Sequence, residues 1–222
     1  MLVRTTASAL AALLLATTFV PDAAAQGRAS TAAATPAATP AATPAAKPGA
    51  IQWKIDRSHS ELTFRIRHII SRVAGTFGQW EGTITTDPAD LSGGAVDVTI
   101  RTASITTNNE RRDNHLRSPE FFAADSFPEI TFRSRSVAVR GDSIQVAGDL
   151  TMRGVTKPVV LRGQYLGITG APGKRRVAFE ASTKVNRLDY GVSWNRAAEG
   201  GGAVLGDEVD VQLVVGAVEQ GR

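Results

Sequence analysis

The 222-residue chain contains no cysteine. That absence excludes disulfides, thiolate metal sites, a thiol nucleophile and the lipid-bearing cysteine of a bacterial lipoprotein. Histidine is scarce, with only His59, His68 and His115. They form no H-x-H pair and have no carboxylate at ligand spacing, so neither a metal nor a cofactor is predicted. A charge excess of one sign is missing too. Beyond residue 50, 22 Lys and Arg face 20 Asp and Glu. The basic clusters Arg111-Arg112, Arg133 with Arg135, and Lys174-Arg175-Arg176 lie apart without interleaved aromatics, which argues against nucleic acid as a partner. After residue 25 no apolar run approaches the roughly 20 residues that span a bilayer, so no stable membrane anchor is expected.

What is present begins with an export signal. Arg4 precedes an apolar run from Ala7 to Val20, and Ala23-Ala24-Ala25 supplies the small-residue cleavage pattern. Residues 1–25 are therefore read as a signal peptide cleaved before Gln26, delivering the protein to the periplasm. Residues 26–50 carry Ala34-Thr35-Pro36-Ala37-Ala38-Thr39-Pro40 and its continuation to Pro44. Recurrent proline and the lack of large apolar residues predict a disordered, extended linker. Residues 51–222 are long enough for one domain with a sizeable core.

That domain reads in period two. Leu62, Phe64, Ile66, His68 and Ile70 alternate with more polar positions, as do Val96, Val98 and Ile100. Val177, Phe179, Ala181 and Val185 follow the same rule, and so do Val209, Val211, Leu213 and Val215. Further runs are 80–86, 130–139, 143–152 and 159–165. Turn residues separate them, including Asp87-Pro88, Arg140-Gly141-Asp142-Ser143 and Gly170-Ala171-Pro172-Gly173. About eight antiparallel strands make an all-β sandwich or closed barrel. Asn108 to Phe122 breaks the rhythm and predicts a short helical insertion, with Ser118-Pro119-Glu120 marking a second helix start. Periodicity leaves open whether the apolar faces fill a core or line a cavity. Gly82, Gly148, Gly163 and Ala181 would leave space if they face inward.

The ordered motifs go further. Trp53-Lys54-Ile55-Asp56-Arg57-Ser58-His59-Ser60, Gly75-Thr76-Phe77 with Trp80, and Ser104-Ile105-Thr106-Thr107-Asn108 come first. His115-Leu116-Arg117-Ser118-Pro119-Glu120-Phe121-Phe122 and Phe127-Pro128-Glu129-Ile130-Thr131-Phe132 follow, then Gly148-Asp149-Leu150-Thr151-Met152-Arg153-Gly154. Asn186-Arg187-Leu188-Asp189-Tyr190-Gly191 and Gly206-Asp207-Glu208-Val209 close the series. In this order the segments resemble the YceI-like family over almost all of 51–218. Gly200-Gly201-Gly202 and the Ala-Thr-Pro linker lie outside the pattern. The resemblance implies an eight-stranded, lipocalin-like antiparallel barrel with an elongated apolar cavity. It also implies a periplasmic protein that binds polyisoprenoids or other long-chain amphiphiles.

The expected partner is a long-chain isoprenoid or fatty-acyl ligand, and a homodimer is compatible with the sequence. Candidates for the ligand wall are Phe64, Ile66, Trp80, Ile84, Phe132, Met152 and Phe179, with Phe121 and Phe122 closing one end. Any β-barrel needs such residues for its core, so each has an ordinary packing role as the alternative. Arg117, Arg153 and Lys157 are candidates for a phosphate head group. No catalytic residue is predicted. Asp56-Arg57-Ser58-His59 has the residue types of a hydrolase triad, but neighbours on an extended chain point apart and no G-x-S-x-G turn exists. Asp56, Ser58 and Ser60 suit backbone capping instead. Two other readings remain: an enzyme acting on a lipid-like substrate through His59 or His115, and a stress-related scaffold with a solid barrel. From the export signal it follows that protein recovered from a periplasmic extract begins at Gln26 by N-terminal sequencing. A mature chain that retains Met1 would refute the assignment.

Overall fold

The computed structural model describes residues 49–197, 201 and 203–221. The signal peptide, nearly all of the linker, Gly200 and Gly202 lie outside them. Eleven strands follow one another: β1 (Ile51–Ile55), β2 (Glu61–His68), β3 (Ser71–Phe77), β4 (Trp80–Asp87), β5 (Asp90–Arg101) and β6 (Ile105–Thr106), then β7 (Glu129–Arg140), β8 (Ser143–Met152), β9 (Val155–Thr169), β10 (Arg176–Asn186) and β11 (Leu205–Glu219). Among the described residues a single α-helix, α1 (Glu110–Arg117), lies between β6 and β7.

The pairings convert eleven strands into eight staves. All are antiparallel, and β4, β5, β7, β8, β9, β10 and β11 are linked in that order. The ring closes because β1 pairs with β4 on one side and β11 on the other. Farther along β11, β2 takes over from β1, and it pairs in turn with β3, which pairs with β6. Thus β1 with β2, β3 with β4, and β5 with β6 each make one interrupted stave. The result is a closed eight-stranded antiparallel barrel with one short helix, as the pattern and the resemblance predict.

Each interruption has a local cause. Between β1 and β2 the chain makes a short 3-10 turn at Arg57–His59, where the Asp56 carboxylate accepts from the Ser58 N–H at 3.0 Å. The Ser60 hydroxyl donates to the Gly216 carbonyl at 3.1 Å and accepts from the Gly216 N–H at 2.9 Å. These are the backbone-capping roles expected of Asp56 and Ser60, while Ser58 takes part only through its own N–H. The turn places His59 before β2 rather than on it. Two expectations fail. Ile70 is not on an inner face but at the tip of the β2–β3 hairpin, 99% exposed. After α1, Ser118-Pro119-Glu120 starts no helix; the Ser118 carbonyl accepts from the Phe121 and Ala123 N–H groups in a string of turns.

The strand directions define two ends. The α1 end carries the β2–β3 and β8–β9 hairpins, the α1 segment and residues 187–197. The other end carries the β4–β5 and β7–β8 turns and residues 170–175. There Trp53, fully buried, packs with Ile84, Val177 and Ala217. Inward glycines do not leave the space that the sequence suggests. A Cβ on Gly148 would meet the Phe132 ring at 2.6 Å, and one on Gly82 would meet Ile55 at 2.8 Å. Glycine here seats a large neighbour close against the wall.

At the Trp53 end, Glu219 accepts from Arg175 through both carboxylate oxygens, at 2.8 and 2.9 Å, and from the Gly173 N–H at 2.8 Å. The Arg175 guanidinium lies 5.8 Å from the Trp53 ring centre. Hydrogen bonding from Arg175 lowers the Glu219 pKa from 4.5 to about 2. The folded state therefore holds its proton more weakly than the unfolded chain. This stabilisation is present in full above pH 4.5 and is lost as pH falls towards about 2. Glu219→Gln should accordingly be less stable than the parent at neutral pH and lose less stability across that acid window. Denaturant titrations at several pH values measure the difference, and parallel acid limbs for the two proteins would refute it.

Candidate functional site

The barrel encloses a cavity of about 690 Å3. Its lining runs along β8 from Ile144 to Met152, about 26 Å of strand at the usual rise of about 3.3 Å per residue. All nine side chains named from the sequence are on its wall: Phe64, Ile66, Trp80, Ile84, Phe121, Phe122, Phe132, Met152 and Phe179. They come from β2, β4, β7, β8, β10 and the segment after α1, converging because period-two alternation points one face of every stave inward. Val73, Val96, Val98, Val137, Val146, Val159, Leu161, Val211 and Leu213 complete much of the surface. The sequence displays these as the inner face of each strand, but nothing in it ranks them as cavity lining over solid core.

The arginines and imidazoles of the lining, His68, Arg111, Arg112, His115 and Arg187, gather at the α1 end with Thr107 and Asn109, while Thr86 and Thr183 line it elsewhere. Arg112 donates to the Thr107 hydroxyl at 2.7 Å and the Thr107 carbonyl at 3.0 Å. Arg111 is exposed, and no other described residue bonds its guanidinium. Sequence reasoning missed this pair as a rim feature because period-two analysis does not orient an irregular segment.

The rim is held by buried polar contacts. Asp113, on the buried side of α1, accepts from the Thr107 N–H at 2.8 Å and the Thr106 hydroxyl at 2.9 Å. Burial raises its pKa, but the Thr107 and Thr106 hydrogen bonds and the nearby Arg117 charge outweigh that and leave it below the ordinary value. Asn109 caps the helix by accepting from the Arg112 N–H at 3.0 Å. Arg187 is 4% exposed and donates to the Gly206, Val192 and Trp194 carbonyls at 2.8, 2.6 and 2.9 Å. With the Asn186 side chain accepting from the Leu188 N–H at 2.9 Å, it makes Asn186 to Tyr190 a turn braced by side chains. Burial drives the Tyr190 phenol up to about 12.

Two of the proposed head-group cations serve the fold instead. Arg117 donates to the Ala103 and Ile105 carbonyls at 2.8 and 3.1 Å and to Asn114 at 2.9 Å. Arg153 donates to the Pro119 carbonyl at 3.0 Å and to the Phe121 carbonyl. Neither lines the cavity, and nor does Lys157.

The histidines differ in place. His59 is exposed outside the barrel, its Nδ1 2.8 Å from Asp56, which also takes Arg176 at 2.9 Å. Ser58 bonds Asp56 only through its backbone, so no serine–histidine link forms. His115 does face the cavity. Its ring packs edge-on against Phe121 and Trp194 at 4.9 and 5.2 Å, and Nε2 bonds Glu120. No hydroxyl bonds that imidazole among the described residues, so a nucleophile–base pair is not assembled there. No group of three or more His, Asp or Glu able to hold a metal occurs among them either.

Comparison with known proteins decides the family. The model of the YceI-like domain matches residues 53–217. The chain belongs to the YceI-like family. Protein YceI of Salmonella arizonae and that of Salmonella paratyphi B are each 42% identical over 148 residues, covering 65% of this chain and 78% of theirs. The crystal structure of a Campylobacter jejuni YCEI protein is 32% identical with a TM-score of 0.60, over 68% of this chain and 88% of that one. Two more distant structures share the fold. Burkholderia cenocepacia BcnA has 20% identity and a TM-score of 0.63, over 73% of this chain and 98% of its own. A polyisoprenoid binding domain from Saccharophagus degradans has 16% identity and a TM-score of 0.58, over 76% and 99%.

The rim geometry makes a stability prediction. Asp113→Ala should leave the Thr107 N–H buried without an acceptor and cost about 2 kcal/mol. Thermal denaturation, with hydrogen exchange of the α1 amides, measures it; unchanged exchange at α1 would show that Asp113 does not hold the rim.

Proposed function

We propose that this protein is a non-catalytic periplasmic carrier that holds a long-chain isoprenoid or fatty-acyl amphiphile in its barrel. One observation carries the reading: an apolar cavity runs along the staves, with its arginines and imidazoles collected at one end. A chain with one polar head and a long apolar tail has that same distribution. Membership of the YceI-like family supports it, as does the fold shared with a polyisoprenoid binding domain.

The energetics favour a long tail. Each buried methylene contributes roughly 0.8 kcal/mol, so ten give on the order of 8 kcal/mol before association and ordering take back several. Affinity then depends on tail length, while Arg111, Arg112, His68 and His115 select the head. The surroundings of the two histidines considered for catalysis support binding over turnover, since among the described residues the ring of His59 bonds Asp56 and that of His115 bonds Glu120.

Natively purified protein should release a stoichiometric long-chain species into organic solvent, identified by mass spectrometry. Leu213→Trp, which places an indole in the cavity, should cut the recovered amount at least several-fold while the barrel still melts cooperatively. Repeated native preparations with no such species, or an undiminished yield from the variant, would overturn the proposal.

A further inference from the structure

The β2–β3 hairpin ends in two residues, Ile69 and Ile70, between the paired His68 and Ser71. Their side chains are the reverse of what a solvent-facing turn requires. Ile70 is 99% exposed and Ile69 46%. Ile69 also has φ +54°, in the left-handed region where a β-branched side chain is strained and where two-residue turns ordinarily use glycine, asparagine or aspartate. The turn is nonetheless well held. The Ile69 N–H donates to the Val204 carbonyl at 2.8 Å, and the Ser71 hydroxyl donates to the His68 carbonyl at 3.1 Å. The fold thus presents two aliphatic side chains to water on a braced, strained tip.

Its surroundings identify what the tip meets. His68, at the hairpin's base, lines the cavity, so the tip stands beside the rim. Arg67 and Arg72 flank it. Arg72 lies 3.3 Å from Asp210, and the bulge of β11 adds Asp207 and Glu208, which face Arg187 and Lys184 at 3.5 Å. Arg67 donates to the Ile69 carbonyl at 3.2 Å and forms no ion pair among the described residues. Two side chains are far too small an area for a stable protein interface, which needs about 800 Å2 per partner. Aliphatic tips with adjacent arginines do suit the boundary of a bilayer that carries anionic phospholipid.

The geometry points to a reversible membrane contact: Ile69 and Ile70 enter the interfacial zone of an anionic bilayer and set the cavity's rim against the lipid from which an apolar ligand is drawn or to which it is returned. This contact is peripheral, as no helix among the described residues is long and apolar enough to cross a membrane. It rests on the carrier reading, but its test separates the two.

Purified protein is co-sedimented with vesicles of phosphatidylglycerol and phosphatidylethanolamine, and with vesicles of phosphatidylcholine alone. The parent should bind the anionic vesicles, and Ile70→Ser should weaken that binding by about fivefold or more. Arg67→Gln should weaken it and reduce its dependence on salt. Ile70→Ser should keep the parent's melting temperature and its uptake of a prenyl alcohol from detergent micelles. Ile69→Asn, a residue suited to positive φ, should raise the melting temperature while weakening vesicle binding. Equal vesicle binding by the parent and Ile70→Ser overturns the contact, as does a parent that binds no vesicles. If it binds none but Ile70→Ser abolishes a cross-link to an envelope protein, the tip belongs to a protein partner instead. Loss of prenyl uptake in the parent with vesicle binding intact counts against the carrier reading and leaves the contact standing.

Discussion

Closure through β11 is the constraint on which the barrel depends. The strand pairs with β10 over eleven residues on one side, and on the other it meets β2 along one stretch and β1 along the next. Removing it would turn a ring into a curved sheet with two unpaired edges. Both of its ends are fastened by arginine. At one, Glu219 takes Arg175 over the buried Trp53 ring; at the other, Arg187 donates to the Gly206 carbonyl. A wall secured by its own hydrogen bonds does not need side chains meeting across the middle. That is how a domain with many Val, Leu and Phe side chains on its inner faces keeps a cavity of about 690 Å3 although unfilled apolar space is destabilising.

The two ends of the cavity differ in chemistry because they differ in construction. The Trp53 end is built from strand termini and tight turns, so alternation carries apolar residues to its last layer. The α1 end is built from irregular segments, whose backbone groups need side-chain partners. Asp113, Asn109, Arg117, Arg153 and Arg187 supply them. Polar residues are therefore concentrated there for structural reasons, and Arg111 and Arg112 bring further charge to the opening. The asymmetry that suits an amphiphile grows out of how the chain closes its own ends.

Much of this was legible in advance. Period two identified the inner faces, and the seven wall residues named on the strands line the cavity, together with Phe121 and Phe122 from the irregular segment. The irregular stretch was correctly located, and α1 falls within it. What escaped was set by tertiary closure. Whether a barrel is solid or hollow depends on stave number and stagger, which alternation does not encode. The break at Arg57–His59 was invisible because its residues serve strand and turn equally well. Ile69 and Ile70 continued an apolar pattern and read as strand, although Ile69 takes a positive φ that a β-branched residue rarely accepts. The roles of Arg117 and Arg153 as donors to distant carbonyls also required the folded chain.

Two seams in the wall are incomplete. Towards the Trp53 end, β5 and β7 pair only from Asp97 with Arg133 to Arg101 with Glu129. The β9–β10 ladder runs only from Arg176 with Thr169 to Ser182 with Arg162. Beyond it, towards the α1 end, β9 keeps its bonds to β8 and β10 keeps its bonds to β11, with no rungs between the two. Pro158, in that stretch of β9, has no N–H to offer. The circumference at this level is consequently not fixed by hydrogen bonding. At neither seam would a change in strand spacing break a rung, so ladder hydrogen bonds leave the girth of the barrel unpinned at two levels, one towards each end.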